Sequence, residues 1–199
     1  MDLLKTVKIL EDKGYTVSVF DNGNDAASYL DGKIDQKTVG FGGSITLKEL
    51  GLIEKLSAHN TVYSHWKTDK SVKETLKSAM DTEVYICSAN AIAETGEIVN
   101  IDATGNRVAG TLYGHDKVYI VVGINKFAPT LCDAISRARN IASPQNAQRL
   151  NCNTPCAKSG DKCYDCKSAD RICNAMVIHF AKMRSCDMEI VIIKEKLGY

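Results

Sequence analysis

Five cysteines, Cys152, Cys156, Cys163, Cys166 and Cys173, lie close together in the pattern C-x3-C-x6-C-x2-C-x6-C, with Gly160, Asp161 and Asp165 between them. Thiolates at such spacing can converge on one metal centre, and both a tetrahedral zinc and an iron–sulfur cluster accept four of them. The spacing differs from the C-x2-C-x2-C-x3-C-P run of bacterial ferredoxins, so spacing alone leaves iron and zinc open. The Cys163/Cys166 pair has the form of a dithiol redox motif but lacks the strand-to-helix placement of a thioredoxin-like site. Disulfides are the alternative for the whole group. Cys87, Cys132 and Cys186 fall in predicted strand or helix positions and read as small buried residues.

Two glycine-bearing turns could hold an anion. In GFGGSIT, residues 40–46, Gly42 and Gly43 let the backbone approach a ligand. Free N–H groups at the following helix start, with the Ser44 and Thr46 hydroxyls, could cradle a phosphate or carboxylate. The segment is neither a dinucleotide fingerprint, since Ile45 stands where a third glycine belongs, nor a Walker loop. A capped strand-to-helix turn is the plain alternative.

The second turn region, SANAIAETGEIVNIDATGNRVAGTLY at residues 88–113, strings Asn90, Glu94, Thr95, Asp102, Gly105, Asn106 and Arg107 behind a predicted strand. Arg107 could grip a carboxylate or phosphate with two N–H groups, and Glu94 or Asp102 could serve as a base. The alternative is a β-hairpin, residues 97–101 turning through 104–106, with surface charges. Asn125 and Lys126 follow a third strand end, where Lys126 could add positive charge or simply be solvated. His65 beside Trp66, the only tryptophan, could face the same pocket or pack.

The elements around these residues alternate. Helical spacing is predicted over 2–13, 26–30, 47–56, 72–80 and 130–142, the last begun by Pro129 and closed before Pro144. Strands are predicted over 15–20, 38–41, 61–65, 83–88, 117–123, 175–180 and 188–194. That rhythm describes an α/β fold with a mostly parallel sheet and helices on both faces, whose ligand sites sit at the carboxyl ends of the strands. Residues 151–174 read as a cysteine-rich loop inserted before the last strands of one domain, 1–199.

Composition excludes other classes. With 44% hydrophobic residues and three prolines among 199, the chain buries a core and is not a disordered polymer. Lys and Arg number 25 against 24 Asp and Glu, a formal charge of +1, so there is no global field for nucleic acid or an acidic membrane. The longest apolar run, VYIVVGI at 118–124, is far short of the ~20 residues that span a bilayer. The first residues lack the apolar core of an export signal. Eight cysteines then suit a cytoplasmic protein with metal or redox roles for its thiols.

The segments VGFGGSITLKELGL (39–52), SANAIAETGEIVNIDATGNRVAG (88–110), KVYIVVGINK (117–126) and TPCAKSGDKCYDC…DRICN (154–174) together resemble the lactate utilisation (LUD) domain family, nearly end to end. The last of them is similar to a subgroup with a TPC…C..C…RICN motif, with one residue more between Cys156 and Cys163 than its commonest form. The resemblance implies a fold similar to ribose-5-phosphate isomerase, glucosamine-6-phosphate deaminase and the coenzyme A transferases. It implies Cys156, Cys163, Cys166 and Cys173 as metal ligands, with Cys152 outside the pattern. It also implies a setting in lactate oxidation beside iron–sulfur and flavin-type partners. On that redox setting an iron–sulfur cluster, 4Fe–4S, is favoured over zinc, serving a protein that binds a small anionic metabolite. Redox partner proteins and a homo-oligomer are expected, nucleic acid and membrane are not. The alternatives are an accessory subunit with a structural zinc clasp, and a sugar-phosphate isomerase or acyl transferase using Glu94 or Asp102.

Overall fold

A computed structural model describes residues 1–67 and 69–199. In chain order the elements are α1 (Leu3–Asp12), β1 (Thr16–Phe20), α2 (Gly23–Lys33), β2 (Thr38–Phe41), α3 (Ile45–Glu49), α4 (Leu52–Leu56), β3 (Thr61–Tyr63), α5 (Val72–Ala79), β4 (Val84–Cys87), β5 (Ala91–Ala93) and β6 (Ile98–Asp102). There follow α6 (Asn106–Leu112), β7 (Lys117–Gly123), β8 (Phe127–Ala128), α7 (Leu131–Arg137), α8 (Ser143–Arg149), α9 (Pro155–Ser159), β9 (Ala175–His179) and β10 (Asp187–Ile193).

The architecture is α/β, built on a parallel six-stranded sheet in the order β1-β10-β7-β4-β2-β3. Its central strands are apolar on both sides, as a doubly covered parallel sheet requires. Val84 and Ile86, Tyr119 and Val121, and Val191 and Ile193 face α2, α3 and α4 through Leu30, Leu47, Leu52 and Leu56. Their alternates, Tyr85, Cys87, Val118, Ile120, Ile190 and Ile192, face the other way. There they meet Leu10 of α1 and, through Ile92 and Ile98, a second sheet of four short strands, β8-β5-β6-β9. The far side of that second sheet is covered by Ala134 and Ala138 of α7 and the turn that follows it. One face of the main sheet is therefore covered by helices, and the other by helices and a small sheet.

Several expectations are corrected. The helix expected over 47–56 is two short ones, because Gly51 takes a left-handed φ of 61° between them. The helix over 130–142 does not close before Pro144. After Arg137 one π-helical turn, residues 138–142, carries the chain into α8, with proline at its start where no N–H is needed. Ser143 Oγ donates to the Ala138 carbonyl, 2.9 Å, inside that turn. The strand expected over 175–180 is present as β9 and lies in the second sheet, antiparallel to β6. Cys132 is exposed, unlike the buried Cys87 and Cys186, and all eight thiols are free in this structure. Among the described residues no helix is long and apolar enough to cross a membrane.

Candidate functional site

Parallel strands leave their carboxyl-end loops along one edge of the sheet. Four such loops meet around a cavity of about 280 Å³: Gly43 and Ser44 after β2, His65 and Trp66 after β3, Ser88 and Asn90 after β4, and Lys126 after β7. Asp102, Asn106 and Arg107 close it from the second sheet and α6, Ser143, Asn146 and Arg149 from α8, and Tyr199 from the carboxyl-terminal tail. The volume lies at the small end of ligand pockets and suits a metabolite of a few heavy atoms more than a nucleotide.

The cavity is cationic, and its cations are held from several directions. Arg107 Nη2 donates to Asn90 Oδ1 at 3.1 Å and to the Ile101 carbonyl, and its Nε lies 3.9 Å from Asp102 Oδ2. Asn90 is the hub: the same Oδ1 accepts from Ile101 N at 2.7 Å, while its carbonyl takes the Arg137 guanidinium. Arg137 also donates to the Asn125 carbonyl, 3.0 Å, so one half-buried side chain of α7 ties the loops after β4 and β7 together. Lys126, 5% exposed, donates to Ser88 Oγ at 3.1 Å. Among the described residues it has no ion-pair partner. Burial first, and then the Arg137 and Arg107 charges, bring its ammonium down to about 7.

Asp102 is the carboxylate on the cavity wall, and it is engaged in structure. It accepts from Gly105 N at 3.3 Å and Val108 N at 3.2 Å, holding the start of α6 where Gly105, at φ 91°, offers no side-chain cap. His65 Nδ1 is buried and has no partner among the described residues, and burial, then the Arg149 charge, push the ring below the ordinary histidine range. Trp66 meets the His65 ring edge-on at 5.7 Å, and the Arg149 guanidinium sits 5.7 Å from the Trp66 ring.

Of the residues singled out from sequence, Gly43, Ser44, His65, Asn90, Asp102, Asn106, Arg107 and Lys126 line this one cavity. Their roles differ from simple ligation in places. A Cβ on Gly43 would stand 3.0 Å from His65 Cε1, so that glycine admits the imidazole. Gly42 passes over the Arg107 stem and the Cys87 side chain, and Ser44 spends its hydroxyl accepting from Leu47 N as the cap of α3. Thr46 and Asn125 do not line the cavity. Thr46 Oγ1 donates to the Leu197 carbonyl at 3.3 Å, and Asn125 accepts from Leu197 N and donates to the Gly198 carbonyl, so both fasten the tail. Glu94 and Thr95 stand apart, in the turn between β5 and β6. Glu94 lies 3.9 Å from the terminal amine of Met1, and Thr95 donates to Glu97. The β-hairpin alternative thus turns at 94–97 and not at 104–106. Trp66, weighed from sequence as a cover or a packing residue, lines the cavity too, whereas Ser143, Asn146, Arg149 and Tyr199 were invisible as site residues because their place depends on contacts remote in sequence.

The cysteine segment lines a second cavity of about 240 Å³, with Arg139, Cys163, Asp165, Arg171 and Cys173 on its wall and with Ile101 and Ser143 shared with the first. Thr154 caps α9 and touches Cys156 Sγ at 3.3 Å. Cys163 Sγ accepts from Asp165 N at 3.4 Å and from Arg139 Nη2 at 3.7 Å, and Arg171 donates to the Cys166 and Cys173 carbonyls. Among the described residues no three Cys, His, Asp or Glu side chains gather as a metal site. The chemistry of the donors nevertheless suits bound thiolates. The Cys163 hydrogen bond and charge, then the charges of Asp165 and Cys173, raise Arg139, which places a guanidinium beside the sulfur atoms.

Fold and cavity together define an α/β protein with a small cationic cavity at the carboxyl ends of a parallel sheet. The chain matches the LUD domain family over residues 3–193 and belongs to it. Among solved structures it is similar to a DUF162 family protein from Deinococcus radiodurans, determined at 1.70 Å resolution, with a TM-score of 0.54. The two share 10% sequence identity over 96% of this chain and 95% of that one, a likeness of fold alone. A comparison with curated proteins finds no match.

Proposed function

We propose that this LUD domain protein is of the lactate-utilisation type and binds a small anionic metabolite, a hydroxy acid, phosphate or acyl ester, in the cavity at the strand ends. The observation that carries the reading is the charge arrangement. Arg107 and Lys126 point cationic groups into a space of a few hundred Å³, Arg137 stands behind them, and the nearby carboxylate, Asp102, is occupied by backbone N–H groups. An anion entering there meets positive charge whose desolvation the fold has already imposed.

The second part of the proposal concerns the segment similar to the TPC…C..C…RICN subgroup. Cys156, Cys163, Cys166 and Cys173 would hold an iron–sulfur cluster, 4Fe–4S, with Arg139 and Arg171 offsetting the thiolate charge. When bound, such a cluster supplies one-electron transfer or a Lewis-acidic iron. A cytoplasmic setting and redox partner proteins accompany this reading, as does assembly with further copies of the chain. The similarity to isomerase, deaminase and coenzyme A transferase folds that the family resemblance implies would suit phosphate or acyl groups as the ligand chemistry.

A reading as an isomerase or transferase using Glu94 has little support, since that carboxylate faces the chain's amino terminus and not the cavity. Two measurements test the proposal. Stability against heat is expected to rise with added lactate, pyruvate or phosphate in wild type and much less in Arg107→Gln, and equal responses would contradict the pocket. Iron with acid-labile sulfide is expected in protein purified without oxygen and absent from Cys163→Ala/Cys166→Ala. Zinc alone would replace the cluster with a structural clasp.

A further inference from the structure

Lys126 is a buried amine that anion binding alone does not require. Its Nζ lines the cavity at the carboxyl end of β7, and its single recorded hydrogen bond goes to the Ser88 hydroxyl. A lysine that merely supplied charge would be expected to keep a carboxylate partner or a wet ammonium. This one has neither among the described residues: it is 5% exposed, and of the charges around it the guanidinium groups of Arg137 and Arg107 act more strongly than the carboxylate of Glu49, which opposes them. The tail closes over it, with Gly198 so near that a Cβ there would lie 3.3 Å from Nζ. Like charges and exclusion of water both favour the free amine, which is the nucleophilic form.

Resting on the cavity reading above, we propose that Lys126 forms an imine with the carbonyl carbon of a small 2-oxo acid whose carboxylate is held by Arg107. The amine nitrogen adds to the carbonyl carbon. The two nitrogen-bound hydrogens and the carbonyl oxygen then leave as one water, and a C=N bond replaces C=O. Ser88 Oγ, 3.1 Å from Nζ, is placed to pass a proton between nitrogen and the departing oxygen. Arg107 Nη1 is unbonded among the described residues and free to take the carboxylate while Nη2 stays on Asn90 and Ile101. No redox reagent is needed for the step. The free-base character of Lys126, at about 7, is consistent with attack at neutral pH.

The test uses the full chain with pyruvate or glyoxylate as probe and sodium cyanoborohydride to convert any imine to a stable secondary amine. Peptide mapping by mass spectrometry is expected to find the reduced adduct on Lys126 at least about tenfold faster than on exposed lysines, whose amines are mostly protonated. Labelling should saturate with probe concentration, vanish in Lys126→Arg, and need more probe in Arg107→Gln. Even labelling of surface lysines in wild type would overturn the proposal without relying on any variant. Thermal stabilisation by pyruvate with no adduct on Lys126 would overturn the imine and leave the anion pocket standing. Neither stabilisation nor adduct would remove both.

Discussion

The strand-end cavity and the cysteine segment each set a pair of arginines around their chemistry, but they hold them differently. Arg107 and Arg137 are fixed by Asn90, Ile101 and Asn125, groups drawn from β6 and the loops after β4 and β7. Arg139 and Arg171 are fixed by Cys163 Sγ, by the Cys166 and Cys173 carbonyls and by the exposed Asp165, all supplied by the segment they serve. The first arrangement is a product of tertiary structure and stands before any ligand arrives. The second is local: apart from the short α9, the stretch is irregular, and its four motif thiols are all partly exposed. The difference teaches that the cavity is preorganised by the fold, whereas a cysteine segment that held the proposed cluster would gain order from it.

Substitutions can break that comparison. The largest effect is expected in Cys163→Ala/Cys166→Ala, which should lose all bound iron and sulfide and loosen residues 152–173 to proteolysis while leaving anion binding in the cavity intact. Coupled loss of both would show that the regions are not independent.

Lys126→Met comes next. The Lys126 ammonium is near 7 in the folded protein against 10.5 ordinarily, so between those values the unfolded chain binds the extra proton. Wild-type stability therefore rises with pH through that window, and the burden of the buried charge is full below it. Lys126→Met is expected to exceed wild type in denaturant stability by a few kcal/mol near pH 6, the gain fading toward pH 10. A pH-independent difference would mean that Lys126 carries its charge at no cost.

Arg107→Gln should weaken anion affinity by roughly 10- to 100-fold, as loss of a charged hydrogen bond worth about 1.5–3 kcal/mol implies, read by equilibrium titration. Asp102→Asn is expected to lower stability by about 1 kcal/mol through the start of α6. Glu94→Gln is the smallest, within about 0.5 kcal/mol in stability and without effect on binding.

How far the sequence reveals this molecule follows from which forces are local. The VYIVVG run of β7 reads as a buried parallel strand because both of its faces are apolar, and it lies at the centre of the sheet. Residues immediately after such strands, Gly43, Ser44, Asn90 and Lys126, are legible as cavity-lining for the same reason: parallel topology sends them to one edge. Pro144 misleads because a π-helical turn absorbs it, and β9 is legible as a strand while its pairing is not, because β6 is a partner about 75 residues away. Glu94 looks like a base from its polar neighbours, but the turn that bears it points toward Met1. Arg149 and Tyr199 reach the cavity only through tertiary packing, and no local spacing marks them.

The account rests most heavily on the cationic cavity. Isothermal titration of pyruvate, lactate and phosphate into wild type and Arg107→Gln, at low and high salt, tests it most directly. Saturable one-site binding that weakens at least about tenfold in the variant, with the Cys163→Ala/Cys166→Ala protein binding like wild type, is the predicted result. Absence of binding by all three anions, or equal binding by wild type and Arg107→Gln, would contradict it.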